Sequence, residues 1–261
     1  MALAPCSISI AQELKLERIV ESGNKILPVD GEAFRLDGND AFIIAPRVDQ
    51  KNIPWVWYAP TLRGLPGKEE AWMIERFLKA GIAIAGIDVG ESYGSPGGTA
   101  RYTNLYNYLV EKRNFSKKPV LLARSRGGLM LYSWAADNAD KVSAIAGIYP
   151  VCNLESYPGL ERACGAYEIT ATELRRELST YNPIDRLGPL AKKGIPLFHI
   201  HGDVDKVVPL EANSGLVAER YKGLGGAMTL QVMEGQGHNM WSGWFQSQDL
   251  VDFVIATATR N

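Results

Sequence analysis

Short apolar segments alternate with longer amphipathic segments along most of this chain, from residue 54 to residue 258. Each apolar segment has the length of a β-strand, and the connections between them are long enough for helical crossovers. This alternation predicts an α/β fold, with a mostly parallel central sheet and helices on both faces. The predicted strands are residues 54–59, 82–89, 119–123, 142–149, 195–201 and 228–233. The predicted helices are residues 68–81, 99–113, 126–138, 210–224 and 243–258.

Two segments depart from the alternation. Residues 33–36 and 41–44 flank an Asp-Gly-Asn-Asp turn signal, which predicts an antiparallel hairpin at one edge of the sheet. Residues 150–194 contain several prolines and glycines and a charged helical stretch near 172–178. We expect them to form a small cap at the carboxyl edge of the sheet, where ligand sites form. The sequence therefore predicts one domain over residues 1–261, with 150–194 as a cap insertion.

Composition argues against several classes of function. The chain has 261 residues, of which 46% are hydrophobic and 22% charged, and its formal net charge is −1. A nucleic-acid-binding domain usually carries a basic excess, so no nucleic-acid partner is predicted. No apolar run is long enough to predict a membrane-spanning helix. Residues 1–11 lack the charged and apolar regions of a signal peptide. We therefore expect a soluble protein, either cytoplasmic or exported with its leader absent from this sequence.

The cysteines give no evidence of a metal site. Three cysteines are too few for a disulfide framework, and none shows a zinc-ligand spacing with a histidine. Cys152 and Cys164 are close enough along the chain for a local bridge in an oxidising compartment, and the alternative is two partly buried thiols. No role is predicted for Cys6. The sequence predicts neither a metal nor an organic cofactor.

A serine lies between two arginines at the junction of a predicted strand and a predicted helix, in the sequence Leu-Leu-Ala-Arg-Ser-Arg-Gly-Gly-Leu. In the G-x-S-x-G elbow, a sharp turn at such a junction exposes the serine oxygen above the sheet. Ala123 stands where that pattern has glycine, but alanine is also small, and Gly127 and Gly128 allow a close passage of strand and helix. Ser125 is therefore a candidate nucleophile. The alternative is a serine that caps an ordinary helix.

A nucleophilic serine needs a base, and the base needs an acid to orient it. The sequence His-Gly-Asp-Val-Asp at residues 201–205 follows one predicted strand, and Glu-Gly-Gln-Gly-His at residues 234–238 follows the next. The chain order is therefore Ser125, Asp205, His238, with each residue in the loop after its own strand.

These motifs resemble the α/β-hydrolase superfamily over residues 30–258, within the branch of dienelactone hydrolases and prolyl-oligopeptidase-type catalytic domains. In that branch H-G-x-x-D-x-x-V-P and G-x-G-H recur. The resemblance implies an α/β-hydrolase fold with Ser125 as nucleophile, His238 as base and Asp205 as acid, and Asp203 is the alternative acid. The other two histidines lie within and at the end of a predicted strand, where they fit structural positions.

Two backbone N–H groups are expected to stabilise the oxyanion. One belongs to Arg126, the residue after the nucleophile. The other should come from the loop after residues 54–59, where Pro60 has no N–H, so Thr61 is predicted and Leu62 is the alternative. The H-G-G-G run of lipases is absent from this loop.

The arginines beside the serine have two alternative roles. A cation at a helix N-terminus interacts unfavourably with the helix dipole, which destabilises the helix by about 0.3–1 kcal/mol. The placement of Arg126 at the start of a predicted helix therefore calls for a reason. Arg124 or Arg126 would either bind an anionic part of the substrate or form an internal ion pair with an acid in residues 88–95.

Three aromatic residues flank loops that should face the pocket, and we expect residues 152–167 to cover the site and select the size of the substrate. Tyr93, Trp241 and Trp244 are candidates for stacking on a sugar or an aryl ring. Their alternative role is to pack the final helix.

The sequence thus predicts a serine hydrolase, a carboxylesterase that works through an acyl-enzyme. Its predicted partner is a small-molecule or carbohydrate ester, without a nucleic-acid or membrane partner, and an acylated carbohydrate is one candidate. A small peptidase, a lactone hydrolase and a non-catalytic α/β-hydrolase scaffold are the alternatives. The oligomeric state is not predicted.

Overall fold

The computed structural model of the protein describes residues 20–47 and 51–260, and the strands in these ranges form a single sheet. The features noted at residues 1–11, Cys6 included, lie outside the described residues. The strands are β1 (Val20–Ser22), β2 (Glu32–Leu36), β3 (Asn39–Ile44), β4 (Trp55–Tyr58), β5 (Ala83–Ile87), β6 (Val120–Arg124), β7 (Ala144–Ile148), β8 (Leu197–Gly202) and β9 (Met228–Met233).

Ten α-helices lie within the described part of the chain. They are α1 (Ala71–Lys79), α2 (Pro96–Lys112), α3 (Gly127–Asp137), α4 (Leu160–Ala163), α5 (Ala171–Arg176), α6 (Leu178–Tyr181), α7 (Gly188–Lys192), α8 (Ser214–Gly223), α9 (Ser242–Phe245) and α10 (Gln248–Ala258). Short 3-10 turns occur at Lys68–Glu70, Ala139–Lys141, Cys164–Tyr167 and Pro183–Asp185. None of the helices in these ranges is long and apolar enough to cross a membrane.

The strand order across the sheet is β1-β2-β3-β5-β4-β6-β7-β8-β9. The strands from β5 to β9 in this order run parallel, whereas β1, β2 and β3 pair antiparallel and β3 joins the parallel part by pairing antiparallel with β5. The predicted hairpin is β2–β3, in which Phe34 lies opposite Ala41. These features confirm the predicted α/β-hydrolase fold class, with a mostly parallel sheet and an antiparallel edge.

Strands in the middle of the sheet are buried on both faces. In β4, Trp55 and Trp57 pack on one face against Tyr102 of α2, among other residues of that core. Val56 and Tyr58 point to the other face, whose core includes residues of α1 and α10. A strand covered on both faces must be apolar throughout, and this explains the uninterrupted apolar segments of the sequence.

Side-chain caps explain two of the differences between predicted and observed helix boundaries. The helix predicted from residue 99 begins at Pro96, where the Ser95 side chain accepts a hydrogen bond from the N–H of Gly98. The helix predicted over 243–258 is two helices, α9 and α10. Ser247 lies between them, and its hydroxyl caps α10 by accepting from the N–H of Leu250.

Residues 150–194 contain four short helices, α4 to α7. Their apolar side chains form a separate cluster that includes Leu160 and Leu174. Leu129 of α3 and Val208 belong to the same cluster, so this segment packs against the helix and the loop that border the candidate site. Its role as a cap inserted in one domain stays a prediction.

Candidate active site

Ser125 lies at a tight turn between β6 and α3. Its φ angle is +47°, in the left-handed region that non-glycine residues rarely adopt. The backbone around it is fixed by hydrogen bonds: Ser125 N–H donates to the Ile148 carbonyl (3.1 Å), and the Ser125 carbonyl accepts from the N–H groups of Gly128 and Val151 (both 2.9 Å). The turn therefore holds the serine in a strained conformation at the carboxyl edge of the sheet.

Close approach of the backbone explains the glycine that follows the turn. A Cβ atom at position 128 would lie 2.3 Å from the carbonyl oxygen of Val151, closer than non-bonded atoms allow. Gly128 is therefore required for α3 to pass the loop that follows β7. Ala123, which replaces the first glycine of the elbow pattern, is fully buried in β6.

The fold brings three predicted residues into one line of hydrogen bonds. Ser125 Oγ lies 2.9 Å from His238 Nε2, and His238 Nδ1 lies 2.8 Å from Asp205 Oδ2. Because the carboxylate can only accept, Nδ1 carries the imidazole proton and Nε2 is free to accept from the serine hydroxyl. This is the geometry that base-assisted attack by a serine requires.

We call residues 203–209, between β8 and α8, the acid loop. Asp205 Oδ1 accepts from the backbone N–H groups of Val207 (2.9 Å) and Val208 (2.8 Å) in this loop. Burial opposes ionisation, but polar contacts from His201 and His238 and the Val208 N–H outweigh it and hold the pKa of Asp205 well below its usual value. Asp205 is therefore a carboxylate at neutral pH.

Asp203, the alternative acid, contacts a backbone N–H group. Its Oδ1 accepts from the N–H of Gly235 at 2.8 Å, in an exposed contact that links the loop after β8 to the loop after β9. Of the two aspartates, Asp205 contacts His238.

A cavity of about 290 Å³ opens above the serine. Thr61 and Arg126, the predicted oxyanion residues, both line it, as does Leu62. Within residues 20–47 and 51–260, the N–H groups of Thr61 and Arg126 donate to no acceptor. Two such donors beside Ser125 are suited to stabilising a developing oxyanion. The full lining is Thr61, Leu62, Leu65, Arg124, Ser125, Arg126, Tyr149, Tyr157, Val207, His238, Asn239 and Met240.

Both arginines form internal ion pairs. Arg126 pairs with Glu91, an acid in the predicted segment 88–95. Arg124 pairs instead with Glu70, which lies outside that segment and is almost fully buried, so the partner expected for Arg124 was wrong. The Glu70 carboxylate also accepts from the hydroxyl of Tyr58 (3.0 Å) and the N–H of Gly67 (2.9 Å). The pairing leaves neither arginine with an unbalanced charge toward the cavity.

The three predicted stacking residues do not line the cavity. Trp244 is fully buried, and its Nε1 donates to Asn239 Oδ1 at 2.9 Å, so its prediction as a substrate contact was wrong. Trp241 is 37% exposed and packs edge-on against Trp244. Tyr93 lies beside the 150–194 segment, where its carbonyl accepts from the hydroxyl of Tyr167 at 2.8 Å. Trp244 packs in the core on the α1 and α10 face of the sheet, and Tyr93 packs against the apolar cluster of the 150–194 segment.

Two tyrosines that the sequence prediction missed line the cavity instead. The ring of Tyr149 lies 4.3 Å from the imidazole of His238, centroid to centroid. Tyr149 directly follows β7 at the carboxyl edge of the sheet, and this placement was the signal that could have identified it. Tyr157 belongs to the 150–194 segment, which was expected to cover the site, but no single-residue pattern marked it.

Cys152 and Cys164 are free thiols. Cys152 is fully buried, and its burial raises the pKa of the thiol well above its usual value. Cys164 is half-buried. Because both thiols are free, the bridge that the spacing allowed is not formed. No group of three potential ligand side chains in the described residues is arranged to bind a metal ion.

Comparison with known proteins agrees with this architecture. The sequence pattern of the prolyl oligopeptidase family matches residues 102–256, more than half of the chain. No curated protein sequence matches the chain.

Solved structures share the fold at low identity. A puromycin-hydrolyzing peptidase from Mycobacterium tuberculosis has a TM-score of 0.69 at 16% identity, over 87% of this chain and 40% of that one. An S-formylglutathione hydrolase from Agrobacterium tumefaciens has a TM-score of 0.66 at 16% identity, over 92% and 94%. A truncated carbohydrate esterase from gut microbiota has a TM-score of 0.66 at 17% identity, over 85% and 91%. This chain therefore spans less than half the length of the first of them.

Proposed function

Since the chain belongs to the prolyl oligopeptidase family of α/β-hydrolase-fold serine hydrolases, we propose that it hydrolyses a carboxylic ester with Ser125, His238 and Asp205. The observation that carries this proposal is the hydrogen-bonded line from Ser125 Oγ through His238 to Asp205, with contacts of 2.9 and 2.8 Å. Ser125 and His238 line a cavity that is also lined by Thr61 and Arg126, whose N–H groups donate to no acceptor within the described residues.

The proposed reaction has two steps. Ser125 Oγ attacks the ester carbonyl carbon while His238 Nε2 accepts the hydroxyl proton, and the N–H groups of Arg126 and Thr61 stabilise the oxyanion. His238 then returns the proton to the leaving alcohol, which leaves an acyl group on Ser125. A water molecule, deprotonated by His238, attacks this acyl group, releases the acid and restores the serine. Asp205 keeps the imidazole in the required tautomer throughout.

An ester is the substrate class that we propose, and the likeness to a carbohydrate esterase among the structures compared supports it. Peptide and lactone hydrolysis remain alternatives that the same triad could catalyse.

The pairing of the two arginines favours a neutral ester. Arg124 and Arg126 each contact an internal carboxylate, so an anionic substrate would have to compete with Glu70 or Glu91 for them. An acylated carbohydrate is a second candidate, favoured by the likeness to a carbohydrate esterase.

Covalent labelling tests the proposal. A fluorophosphonate probe should label the wild type and leave Ser125→Ala unlabelled. The matched variants Asp205→Asn and Asp203→Asn test which of the two aspartates orients His238. We expect Asp205→Asn to lower kcat for p-nitrophenyl acetate by about 10⁴ and Asp203→Asn to change it less than about threefold.

A substrate panel then distinguishes the candidates. It includes p-nitrophenyl acetate, a hemisuccinate ester, an acetylated sugar, a lactone and an aminoacyl p-nitroanilide. Preference for the anilide would replace the ester proposal with a peptidase. A folded wild type that the probe does not label would favour the non-catalytic scaffold.

A further inference from the structure

Two histidines that the proposed reaction does not use lie buried behind the acid loop. His199 and His201 are both fully buried in β8. Ser214 Oγ, at the start of α8, lies 3.0 Å from His199 Nδ1 and 2.8 Å from His201 Nδ1. The hydroxyl of Tyr132 on α3 lies 2.7 Å from His199 Nε2, and the Val208 carbonyl lies 2.8 Å from His201 Nε2. These groups form one chain of hydrogen bonds from α3 to the acid loop.

The acceptors fix the direction of this chain. The Val208 carbonyl can only accept, so His201 Nε2 carries a proton and donates to it. A neutral His201 then accepts at Nδ1 from the Ser214 hydroxyl, and the Ser214 oxygen accepts from the Nδ1–H of His199. His199 Nε2 remains as the acceptor for the Tyr132 hydroxyl. Every polar hydrogen in the chain has one acceptor, which is the arrangement that a buried network requires.

The surroundings of His199 agree with this assignment. Burial, with a smaller effect of His201, lowers the pKa of His199 to about 3, so it is neutral at neutral pH. The residue opposite it in β7 is Gly147. A Cβ atom there would lie 2.5 Å from His199 Cδ2, so the imidazole has room only because this position has no side chain.

The chain reaches the proposed site through a peptide group. His201 Nε2 is 2.8 Å from the Val208 carbonyl but 3.5 Å from Asp205 Oδ2, so the carbonyl is its hydrogen-bond acceptor. The N–H of Val208 donates to Asp205 Oδ1 at 2.8 Å, and Asp205 Oδ2 accepts from His238 Nδ1 at 2.8 Å. The position of Val208 thus controls the orientation of the carboxylate and, through it, of the imidazole.

We propose that His201 and Ser214, held by His199 and Tyr132, are positioning residues that set the orientation of the Asp205–His238 pair. The proposal rests on the catalytic roles proposed above for Asp205 and His238. A small displacement of a catalytic group is costly, because proton transfer depends on reacting atoms being aligned at the start of the reaction.

The central test removes one hydroxyl group. Ser214→Ala leaves both imidazoles without their shared partner, and we expect kcat for p-nitrophenyl acetate to fall about tenfold while KM stays unchanged. The rate of fluorophosphonate labelling should fall by a similar factor. The deshielded NMR resonance of the His238 Nδ1–H proton should shift or broaden, because the distance from His238 Nδ1 to Asp205 Oδ2 changes.

Two further variants make the test specific. Ser133→Ala is the matched control, because Ser133 is also a buried serine but its hydroxyl makes no hydrogen bond within the described residues. It should keep the wild-type kcat and proton resonance. His201→Gln retains an N–H near the position of Nε2 and should keep more activity than His201→Ala.

Several outcomes would overturn the inference. One is a Ser214→Ala protein with a lower melting temperature but with kcat and the proton resonance of the wild type, which would make the chain purely structural. If Ser214→Ala does not fold, Tyr132→Phe removes a hydroxyl at the far end of the chain, and unchanged kcat and resonance in that variant would also overturn it. A wild type that is not labelled would instead reject the proposed function, and the proton resonance alone would then decide the inference.

Discussion

Ionisable side chains near the site are either paired or held uncharged. Arg124 and Glu70 form a buried pair, whereas Arg126 and Glu91 form a pair that is partly open to solvent. His199 is buried without a charged partner and is therefore neutral. Removing one member of a buried ion pair lowers the free energy of unfolding strongly, whereas an exposed ion pair contributes little to it. The two arginines on either side of the serine should thus differ in their effect on stability.

Substitution of each arginine by glutamine tests this difference. Arg124→Gln leaves Glu70 buried without its cation, and we expect the free energy of unfolding to fall by about 3–5 kcal/mol. Arg126→Gln should lower it by about 1 kcal/mol or less. Urea denaturation of both variants measures the effect. Equal losses would mean that the Arg124–Glu70 pair is as hydrated as the other.

The buried imidazole of His199 makes stability depend on pH. Its pKa in the folded protein is about 3, below its ordinary value of 6.5. The unfolded chain therefore binds more protons between these values, so the contribution is fully present above pH 6.5 and is lost as the pH falls. The free energy of unfolding should drop by about 3 kcal/mol between about pH 7.5 and about pH 4.5 from this group alone.

Urea denaturation over this range checks the expectation. His199→Gln should remove most of the pH dependence. Tyr132→Phe removes the hydroxyl that contacts His199 but leaves the titrating imidazole in place, so this variant should retain the pH dependence. An equally steep pH dependence in His199→Gln would assign the effect to other groups.

The junction between β6 and α3 depends on close contact between elements. The turn keeps Ser125 at a positive φ angle and brings α3 against the loop after β7. The absence of a side chain at Gly128 makes this contact feasible, since the carbonyl of Val151 occupies the space of a Cβ atom. The geometry of the nucleophile is thus a property of two packed elements and not of the turn alone.

An alanine at this junction should distort it. Gly128→Ala requires the backbone of α3 or of the facing loop to move, so we expect the protein to lose more than about 2 kcal/mol of stability and most of its labelling by fluorophosphonate. Gly97→Ala is the matched control, because a Cβ there would meet only the Arg101 side chain, at 4.0 Å. Normal labelling of Gly128→Ala would contradict the packing argument.

At the scale of the whole molecule, residues 20–47 and 51–260 contain three apolar clusters. Two lie on the opposite faces of the sheet, and the third is formed mainly by residues 150–194. Leu129 of α3 and Val208 of the acid loop belong to the third cluster, so the segment packs on both sides of the site. We therefore expect this segment to unfold together with the sheet.

Truncation of a leucine in the third cluster tests this coupling. Leu174 is fully buried, and Leu174→Ala should lower the free energy of unfolding by about 2–5 kcal/mol within a single transition. Leu224→Ala, at an exposed leucine, should change it by less than about 0.5 kcal/mol. Far-ultraviolet and near-ultraviolet circular dichroism should report the same midpoint. Two separate transitions, with only one moved by Leu174→Ala, would show that the segment unfolds independently.

Periodicity along the chain was sufficient to predict β2 to β9 and the mainly parallel arrangement of the sheet, but β1 was missed. Parallel strands are buried on both faces, so each must be a continuous apolar segment, and this property is visible locally. Ser125, His238 and the loop that holds the acid could be nominated in the same way, because each follows such a segment and the carboxyl ends of parallel strands meet at one edge. The choice of Asp205 over Asp203 came from the family resemblance. Helix ends were predicted less well, since caps such as Ser247 depend on single side chains.

Tertiary packing alone decided which atoms meet. Arg124 finds its carboxylate 54 residues earlier, in Glu70, and Ser214 joins two histidines that neighbour each other on β8. Trp244 lies next to a predicted catalytic loop along the chain, yet it is buried in the core. Hydrophobic patterning specifies which face of an element is buried, but a hydrogen bond forms only where donor and acceptor come within about 3 Å. Whether they do depends on how elements far apart in the sequence pack together, and the periodicity of the sequence does not specify that packing.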